Sequence, residues 1–249
     1  MNLIVYVILT IIAILCGQGV KHIEKKLIPL SLEQINYKEF FKNIKKDFKF
    51  DIKYTIILVL LFNLLYYFHG NMITTYLYMA LLLVLLIVFS IDYKFQIIPD
   101  EAHICIILLS IINMIFHLNN ILDYLLGALV GGGIFFIISY LSYFILKKEG
   151  MGFGDVKLMA SLGLFVGVKN ILVITLLSFL IGAIVGIILL IFKKKDKNSY
   201  IPFGPFIVIA TIFIMFIPAD YIIEVYISFC SMLGTKITDV IYCFMENNG

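Results

Sequence analysis

Long runs of apolar residues, separated by short polar joints, dominate this chain of 249 residues. Hydrophobic residues make up 62% of the sequence and charged residues only 14%, which is unlike a soluble domain. A helix needs about 20 apolar residues to cross the hydrocarbon core of a membrane. The runs therefore predict an all-α, polytopic membrane helix bundle with about eight transmembrane helices, at residues 2–19, 54–69, 73–91, 101–118, 124–146, 156–168, 170–192 and 203–217.

The basic residues lie mostly on one side of these predicted spans. All 19 are lysines, and 17 of them fall in joints on the same side, nine within residues 20–53 alone. Lys169 and Lys236 are the two on the other side. Because lysines accumulate in cytoplasmic loops, the pattern predicts an external N-terminus. The net charge of +3 is too small and too scattered to indicate nucleic-acid binding.

Residues 33–53 have a different pattern from the predicted spans. Aromatic and aliphatic residues recur there at steps of three and four, and the lysines fall on the remaining face of the helix. The pattern predicts a basic amphipathic helix that lies on the anionic inner leaflet, with membrane lipids as its partners. A solvated linker is the alternative.

Three carboxylates fall at the ends of predicted spans. The segment FSIDYKFQIIPD follows the third span and contains Asp92 and Asp100, while MGFGD leads into the sixth span with Asp155. The alternation of spans places all three at the same cytoplasmic boundary of the membrane. Because ionisable groups are costly in hydrocarbon, acidic residues at this depth indicate function.

Asp92 and Asp155 suit acid–base hydrolysis as a pair. Two neighbouring carboxyls share a proton, so one can draw a proton from water while the other donates to a peptide carbonyl and later to the leaving amine. Other hydrolytic motifs are missing, since the sequence has no GxSxG and no HExxH. Its four cysteines form no CxxC pair, so a zinc site is not indicated. The residues therefore indicate amide hydrolysis without a metal.

Glycines surround the second aspartate in EGMGFGDVK, residues 149–157. A phosphate-binding loop is a poor interpretation because no strand precedes the stretch and no GK[ST] follows. We expect Gly152 and Gly154 to remove side chains where a substrate backbone approaches the carboxylates, and to permit positive φ. Elsewhere, small-residue pairs are expected to let spans pack closely, at Gly127/Gly131, Gly163/Gly167 and Gly182/Gly186.

These segments resemble the type IV prepilin peptidases, membrane aspartyl proteases of the GxGD group. IDYKFQIIPD is similar to their first-aspartate motif, GMGFGDVKLMASLG to their second, and IPFGPFI at 201–207 to their Phe-Gly-Pro segment. CGQGVKHIEKKLIP at 16–29 weakly resembles the start of the bacterial enzymes. Together the matches span most of the chain.

The resemblance implies that Asp92 and Asp155 are the catalytic aspartates and that Gly152 and Gly154 shape the site. The implied substrate is a prepilin or pseudopilin, cleaved at the cytoplasmic face of the bacterial cytoplasmic membrane. The peptidase needs no cofactor, and S-adenosylmethionine is needed only if methyltransferase activity is retained. Many bacterial members carry paired CxxC zinc motifs in the first cytoplasmic loop, but residues 20–53 contain no cysteine, so no metal is expected.

Two further residues near the motifs are candidates for substrate binding. Asp100 follows a proline and either caps a helix or contacts substrate. Lys157 either extends to lipid phosphates or tunes the aspartate pair. Asp123, at the opposite boundary, is predicted to cap a helix, and His103 is interpreted as an interfacial side chain.

The sequence divides into three predicted regions. Residues 1–53 form an N-terminal span with a short basic cytoplasmic segment, 54–217 the membrane aspartyl peptidase core, and 218–249 an apolar segment and tail. Within the tail, 221–234 is interpreted either as a further span or as a surface segment. Two rival functions remain open, an ion-coupled transporter that uses boundary carboxylates and a presenilin-type intramembrane protease.

Overall fold

The structure is a computed structural model that describes residues 3–32, 52–147, 151–192, 201–228 and 231. Within these ranges all regular structure is helical, which confirms the all-α class. The chain divides into two compact units, and the second unit contains the helix Ala219–Ser228. The first unit contains α1 (Leu3–Leu32), α2 (Ile52–His69), α3 (Ile73–Phe95), α4 (Asp100–Phe116), a 3-10 turn (Leu118–Asn120), α5 (Ile121–Leu146), α6 (Phe153–Ile191) and α7 (Gly204–Phe216).

Several of these helices match the length and polarity of membrane spans. Four are long and apolar enough to cross a membrane: Ile52–His69, Ile73–Phe95, Leu118–Ile145 and Phe153–Leu189. The chain is therefore a multi-pass membrane protein, as predicted, while the total of eight spans stays a prediction. The predicted amphipathic helix at 33–53 lies outside the described residues, except for the last two, which begin α2.

The longest helix, α6, is broken at Gly167. Its 39 residues would extend about 58 Å if straight, nearly twice the thickness of the hydrocarbon core. Gly167 has φ 82° and ψ 174°, a conformation that interrupts the helix and that glycine adopts without strain. Residues 153–166 and 168–191 are therefore two helices joined at one residue, in agreement with the separate spans predicted at 156–168 and 170–192.

Contacts with α5 show that these two helices fold back on each other. A Cβ atom added to Gly131 would lie 2.6 Å from the carbonyl oxygen of Met159 and 2.7 Å from Cγ1 of Ile171. Twelve residues span about 18 Å in a straight helix, so one glycine could not touch both without the turn at Gly167. The same face of α5 packs backbone to backbone, since a Cβ on Gly163 would lie 2.1 Å from the carbonyl oxygen of Gly127.

Helix α3 lies at the centre of the first unit. Half of its span is buried by other helices, compared with 22–28% for the other three candidate spans. Leu81, Leu82 and Leu85 are fully buried and form much of this core. Asp92 follows on the same helix, so the packing of these leucines fixes where its carboxyl group lies.

Candidate active site

Four helix ends meet at one end of the first unit, which we call the aspartate end. The C-terminal turn of α3 carries Asp92, the N-terminal turn of α6 carries Asp155, and α7 begins beside them at Gly204. The start of α4 is joined to α6 by an ion pair between Asp100 and Lys157. Chain segments that are far apart in the sequence therefore position the two motif aspartates together.

Asp92 is buried against the start of α7. The residue is only 4% exposed, and the backbone of Gly204 lies against its carboxyl group. A Cβ atom on residue 204 would lie 2.5 Å from Oδ2 of Asp92, so only glycine allows this approach. The N-terminal end of α7 also carries partial positive charge, which favours a carboxylate at this position.

One carboxyl oxygen of Asp92 has no partner in the described part of the chain. The Oδ2 atom is buried and makes no hydrogen bond to any described residue. An unsatisfied buried polar atom costs about 1–3 kcal/mol, so a structure that keeps one calls for a functional explanation. An oxygen of this kind is able to accept a hydrogen bond from a water molecule or a substrate.

Asp155 is equally buried, at 4% exposure, in the first turn of α6. Its backbone N–H donates to the carbonyl oxygen of Gly152 at 3.1 Å, and the backbone of Gly152 lies close to its carboxyl group. Met151 precedes Gly152 in the chain. The hydroxyl of Ser139 on α5 donates a hydrogen bond of 3.3 Å to the carbonyl oxygen of Met151. The carboxyl groups of Asp155 and Asp92 are close enough to interact electrostatically.

The two motif glycines, Gly152 and Gly154, have ordinary negative φ. Positive φ occurs at Gly70 and Gly167 among the described glycines, so Gly152 and Gly154 do not use the freedom for positive φ that the sequence gives them. Gly154 is already helical, and a Cβ there would lie 3.3 Å from the Cβ of Ile98. Its small size therefore lets the loop between α3 and α4 pack against α6.

Asp100 and Lys157 bind each other. Their side chains form an ion pair of 2.8 Å and are 71% and 43% exposed, respectively. The hydrogen bond from Lys157 lowers the pKa of Asp100. Asp100 makes no side-chain cap, because Pro99 occupies the N-cap position of α4. The ammonium group of Lys157 also lies 5.6 Å from the centre of the Phe153 ring.

His103 differs from the sequence-based interpretation. It is only 5% exposed rather than interfacial, and neither ring nitrogen has a hydrogen-bond partner among the described residues. The reason is its place on α4, on the same buried face as Ile106 and Ser110. Ser110 donates to the carbonyl oxygen of Ser161, so this face of α4 packs on α6.

Some contacts at this site were not predicted from the sequence. The Phe-Gly-Pro segment supported the family resemblance, but no role was predicted for it. The structure places its glycine, Gly204, against Asp92. The partnership of Asp100 with Lys157 was also missed, because nothing local in the sequence links residues 57 positions apart. Over the described part of the chain, no three His, Cys, Asp or Glu side chains are grouped to hold a metal ion.

The fold and the site define a polytopic helical membrane protein with two buried aspartates that interact at one end of the bundle. Residues 78–187, which include both aspartates, match the Type IV leader peptidase family. This segment is therefore similar to the type IV leader peptidases, which confirms the resemblance found in the sequence.

Individual relatives carry a consistent name. Proteins named "Prepilin leader peptidase/N-methyltransferase" are 34% identical over 147 residues in Xanthomonas campestris pv. campestris and 36% identical over 140 residues in Pseudomonas aeruginosa. These alignments cover 57% and 56% of this chain, and 50% and 48% of the relatives. The chain thus spans about half the length of the curated relatives it matches. No solved structure matches it significantly.

Proposed function

We propose that this protein is a membrane aspartyl endopeptidase that removes the short basic leader from type IV prepilins or pseudopilins. The observation that carries the proposal is the pair formed by Asp92 and Asp155, buried and interacting within the segment that matches the leader peptidase family. The names of the relatives supply the substrate class.

The proposed reaction needs only the two carboxyl groups and water. An extended substrate lies across the pair, one carboxylate takes a proton from water, and the resulting hydroxide attacks the scissile carbonyl carbon. The other carboxyl, protonated at the start, donates its proton to the carbonyl oxygen. Collapse of the tetrahedral intermediate then breaks the C–N bond as the leaving amine gains a proton. The unpartnered Oδ2 of Asp92 is a natural acceptor for the attacking water.

The neighbouring backbone orients the pair. The first turn of α7 holds Asp92 through Gly204, and the turn at Gly152 holds Asp155. Both partners are backbone groups at helix starts, so they orient the carboxyl groups without adding another titratable group. The proposed role of Gly152 and Gly154 is to keep this region compact and free of side chains.

We further propose that the aspartate end faces the cytoplasm. Lys94 and Lys157 lie near the two aspartates in the sequence, and lysine-rich joints favour the cytoplasmic side. The N-terminus would then be external, and residues 54–217 would form the peptidase core in a bacterial cytoplasmic membrane. Asp100 and Lys157 would contact the substrate where it enters, exchanging their mutual ion pair for substrate groups.

Methyl transfer lies outside this proposal. The relatives are named as N-methyltransferases as well as peptidases, and that reaction would require S-adenosylmethionine. Residues 20–53 contain no cysteine and so offer no thiolate ligand for a zinc ion. Mass spectrometry of the processed product would detect a methyl group on the new N-terminus and decide the question.

The purified protein in liposomes, incubated with a prepilin, provides the test. Asp92→Asn and Asp155→Asn should each lower the cleavage rate about 1,000-fold, within the range for losing a positioned acid or base. Asp123→Asn is the matched control, because it changes an aspartate remote from the pair, and it should cleave like the wild type. Cleavage at the wild-type rate by either motif variant would refute the proposal.

A further inference from the structure

A small cavity opens beside the start of α6. Its volume is about 250 Å³, below the range of about 300–1,000 Å³ that is typical for sites of drug-sized ligands. Aromatic rings dominate its walls, so it suits a single apolar side chain. We call it the aromatic cavity, and its lining residues are Phe136, Ser139, Tyr140, Tyr143, Met151 and Phe153.

The walls of the aromatic cavity are held in place. Met151 is only 8% exposed, and the hydrogen bond from Ser139 fixes its backbone to α5. The rings of Phe136 and Tyr140 stack at 6.4 Å between centroids. On the far side, Lys157 lies over the ring of Phe153 while also pairing with Asp100. The four rings are between 52% and 63% exposed, so they are accessible to a side chain of the substrate.

The aromatic cavity is lined in part by Met151 and Phe153, from the same motif as Asp155. It lies on a different face of α6 from the Asp155 side chain. Phe153 and Asp155 are two residues apart in the first turn of α6, so their side chains point in different directions. Between the two faces lies the end of the helix, where Gly152 contributes no side chain. A peptide bound at Asp155 that continues over this end would reach the cavity.

The length of that path follows from helix and strand dimensions. A helix with its side chains is about 10–12 Å across, and an extended chain advances about 3.3–3.6 Å per residue. Crossing from the face of Asp155 to the face of Phe153 thus takes about three or four residues.

We propose that the aromatic cavity is a specificity subsite that binds one apolar side chain of the substrate, three or four residues from the scissile bond. The inference rests on the proposed peptidase function, because it requires a substrate chain lying across Asp92 and Asp155. The competing explanation is an aromatic belt, in which Tyr140 and Tyr143 anchor the protein at the membrane surface. A belt would affect stability in the membrane but would not distinguish substrate positions.

Matched variants of enzyme and substrate separate the two explanations. Phe136→Ala and Tyr140→Ala each enlarge the cavity, whereas Phe144→Ala removes a ring that is 74% exposed and stacks on Tyr140 without lining the cavity. Each enzyme is tested on one prepilin and on variants with single alanine substitutions at the six positions on either side of the cut. The measurement is kcat/KM for every pair.

A subsite predicts coupling at one place in the substrate. Phe136→Ala and Tyr140→Ala should lower kcat/KM about 10-fold on the parent prepilin, the lower end of the range for losing apolar contacts. One substrate variant has alanine in place of the apolar residue three or four positions from the cut. On that substrate the same enzyme changes should lower kcat/KM less than about twofold. Phe144→Ala should cost less than about twofold on every substrate.

Two results would refute the proposed subsite. One is an equal loss of kcat/KM on all substrates, as expected for an aromatic belt. The other is a dependence on the substrate residue at a different distance from the cut only. Phe136→Leu keeps the wall apolar and replaces an alanine variant that does not fold. It should show the same dependence on the substrate, with a smaller loss of kcat/KM. A wild-type enzyme that cleaves no prepilin, or cleavage that survives Asp92→Asn, would instead refute the proposed function.

Discussion

Asp92 and Asp123 lie at opposite ends of the bundle and are used differently. Asp123, in the first turn of α5, accepts a hydrogen bond of 3.3 Å from the backbone N–H of Val168, where the helix restarts after Gly167. Asp92 is buried, and one of its oxygens has no hydrogen-bond partner among the residues that the structure describes. The exposed carboxylate completes a helix turn, while the buried one is left available. The contrast separates a carboxylate that supports the fold from one suited to chemistry.

Glycines show the same difference between the two ends. Toward the Asp123 end, Gly127 and Gly163 bring the backbones of α5 and α6 together, with no ionisable group between them. At the aspartate end, Gly204 brings the backbone of α7 against the carboxyl group of Asp92. A methyl group added at the first place should disturb folding, and one added at the second should disturb activity.

The largest expected effect is on stability, at Gly163. In Gly163→Ala the new Cβ would lie 2.1 Å from the carbonyl oxygen of Gly127, and two helix backbones must separate to relieve it. We expect a loss of about 3 kcal/mol or more in the free energy of unfolding, at the upper end for overpacking. Thermal unfolding in detergent measures this. Gly133→Ala is the control, since its Cβ would meet nothing within 4 Å, and equal stability of both variants would contradict the packing argument.

The next effect is on activity, at Gly204. The Cβ of Gly204→Ala would lie 2.5 Å from Oδ2 of Asp92, so the carboxyl group must move from its position beside Asp155. A displacement of about 1 Å at a reacting group can cost about 100-fold in rate, and we expect a loss of that size in prepilin cleavage. Gly186→Ala, with nothing within 4 Å of its Cβ, should cleave normally. Normal cleavage by Gly204→Ala would show that Asp92 tolerates the shift.

Local patterns in the sequence predicted the features that depend on neighbouring residues. Apolar runs predicted the spans, and the two runs on either side of residue 169 predicted the break that the structure places at Gly167. Counting spans predicted that Asp92 and Asp155 lie at one boundary, and both lie at the aspartate end. Each of these inferences needs only hydropathy and the alternation of the chain across a membrane.

Contacts between distant segments could not be predicted in the same way. The pairing of Asp123 with the N–H of Val168 links positions 45 apart, and no periodicity encodes which turn a carboxylate will reach. The role of Gly154 in packing was missed for a related reason. A glycine-rich motif suggests positive φ, but the helix begins at Phe153 and the glycine at 154 is needed for close packing on Ile98.

A smaller effect on stability is expected at Asp123. Asp123→Ala removes the acceptor for the N–H of Val168, which is equivalent to losing a helix cap and should cost about 1 kcal/mol in the free energy of unfolding. Thermal unfolding detects such a change. Asp123→Asn retains a side-chain oxygen and should lose less. Both variants should cleave prepilin within about twofold of the wild type, and a large loss of cleavage would place Asp123 in the catalytic machinery.

The smallest effect concerns the pH dependence of stability at the ion pair of Asp100 and Lys157. Because Lys157 lowers the pKa of Asp100 in the folded protein, the pair stabilises the fold at pH values above the pKa of the unfolded chain. That contribution is lost as the pH falls through the lowered, folded-state pKa. Both side chains are largely exposed, so the total should stay below about 1 kcal/mol.

The difference in melting temperature between the wild type and Lys157→Met, followed from pH 7 downward, measures this contribution. It should be largest near neutral pH, shrink in acid, and also shrink at high salt because exposed charges are screened. Lys147→Met removes one exposed lysine charge from the same half of the chain without touching Asp100, so its difference from the wild type should not follow the titration of Asp100. If the two lysine variants show the same pH profile, the ion pair contributes nothing specific, and its residues are free to exchange partners with a substrate at no cost to the fold.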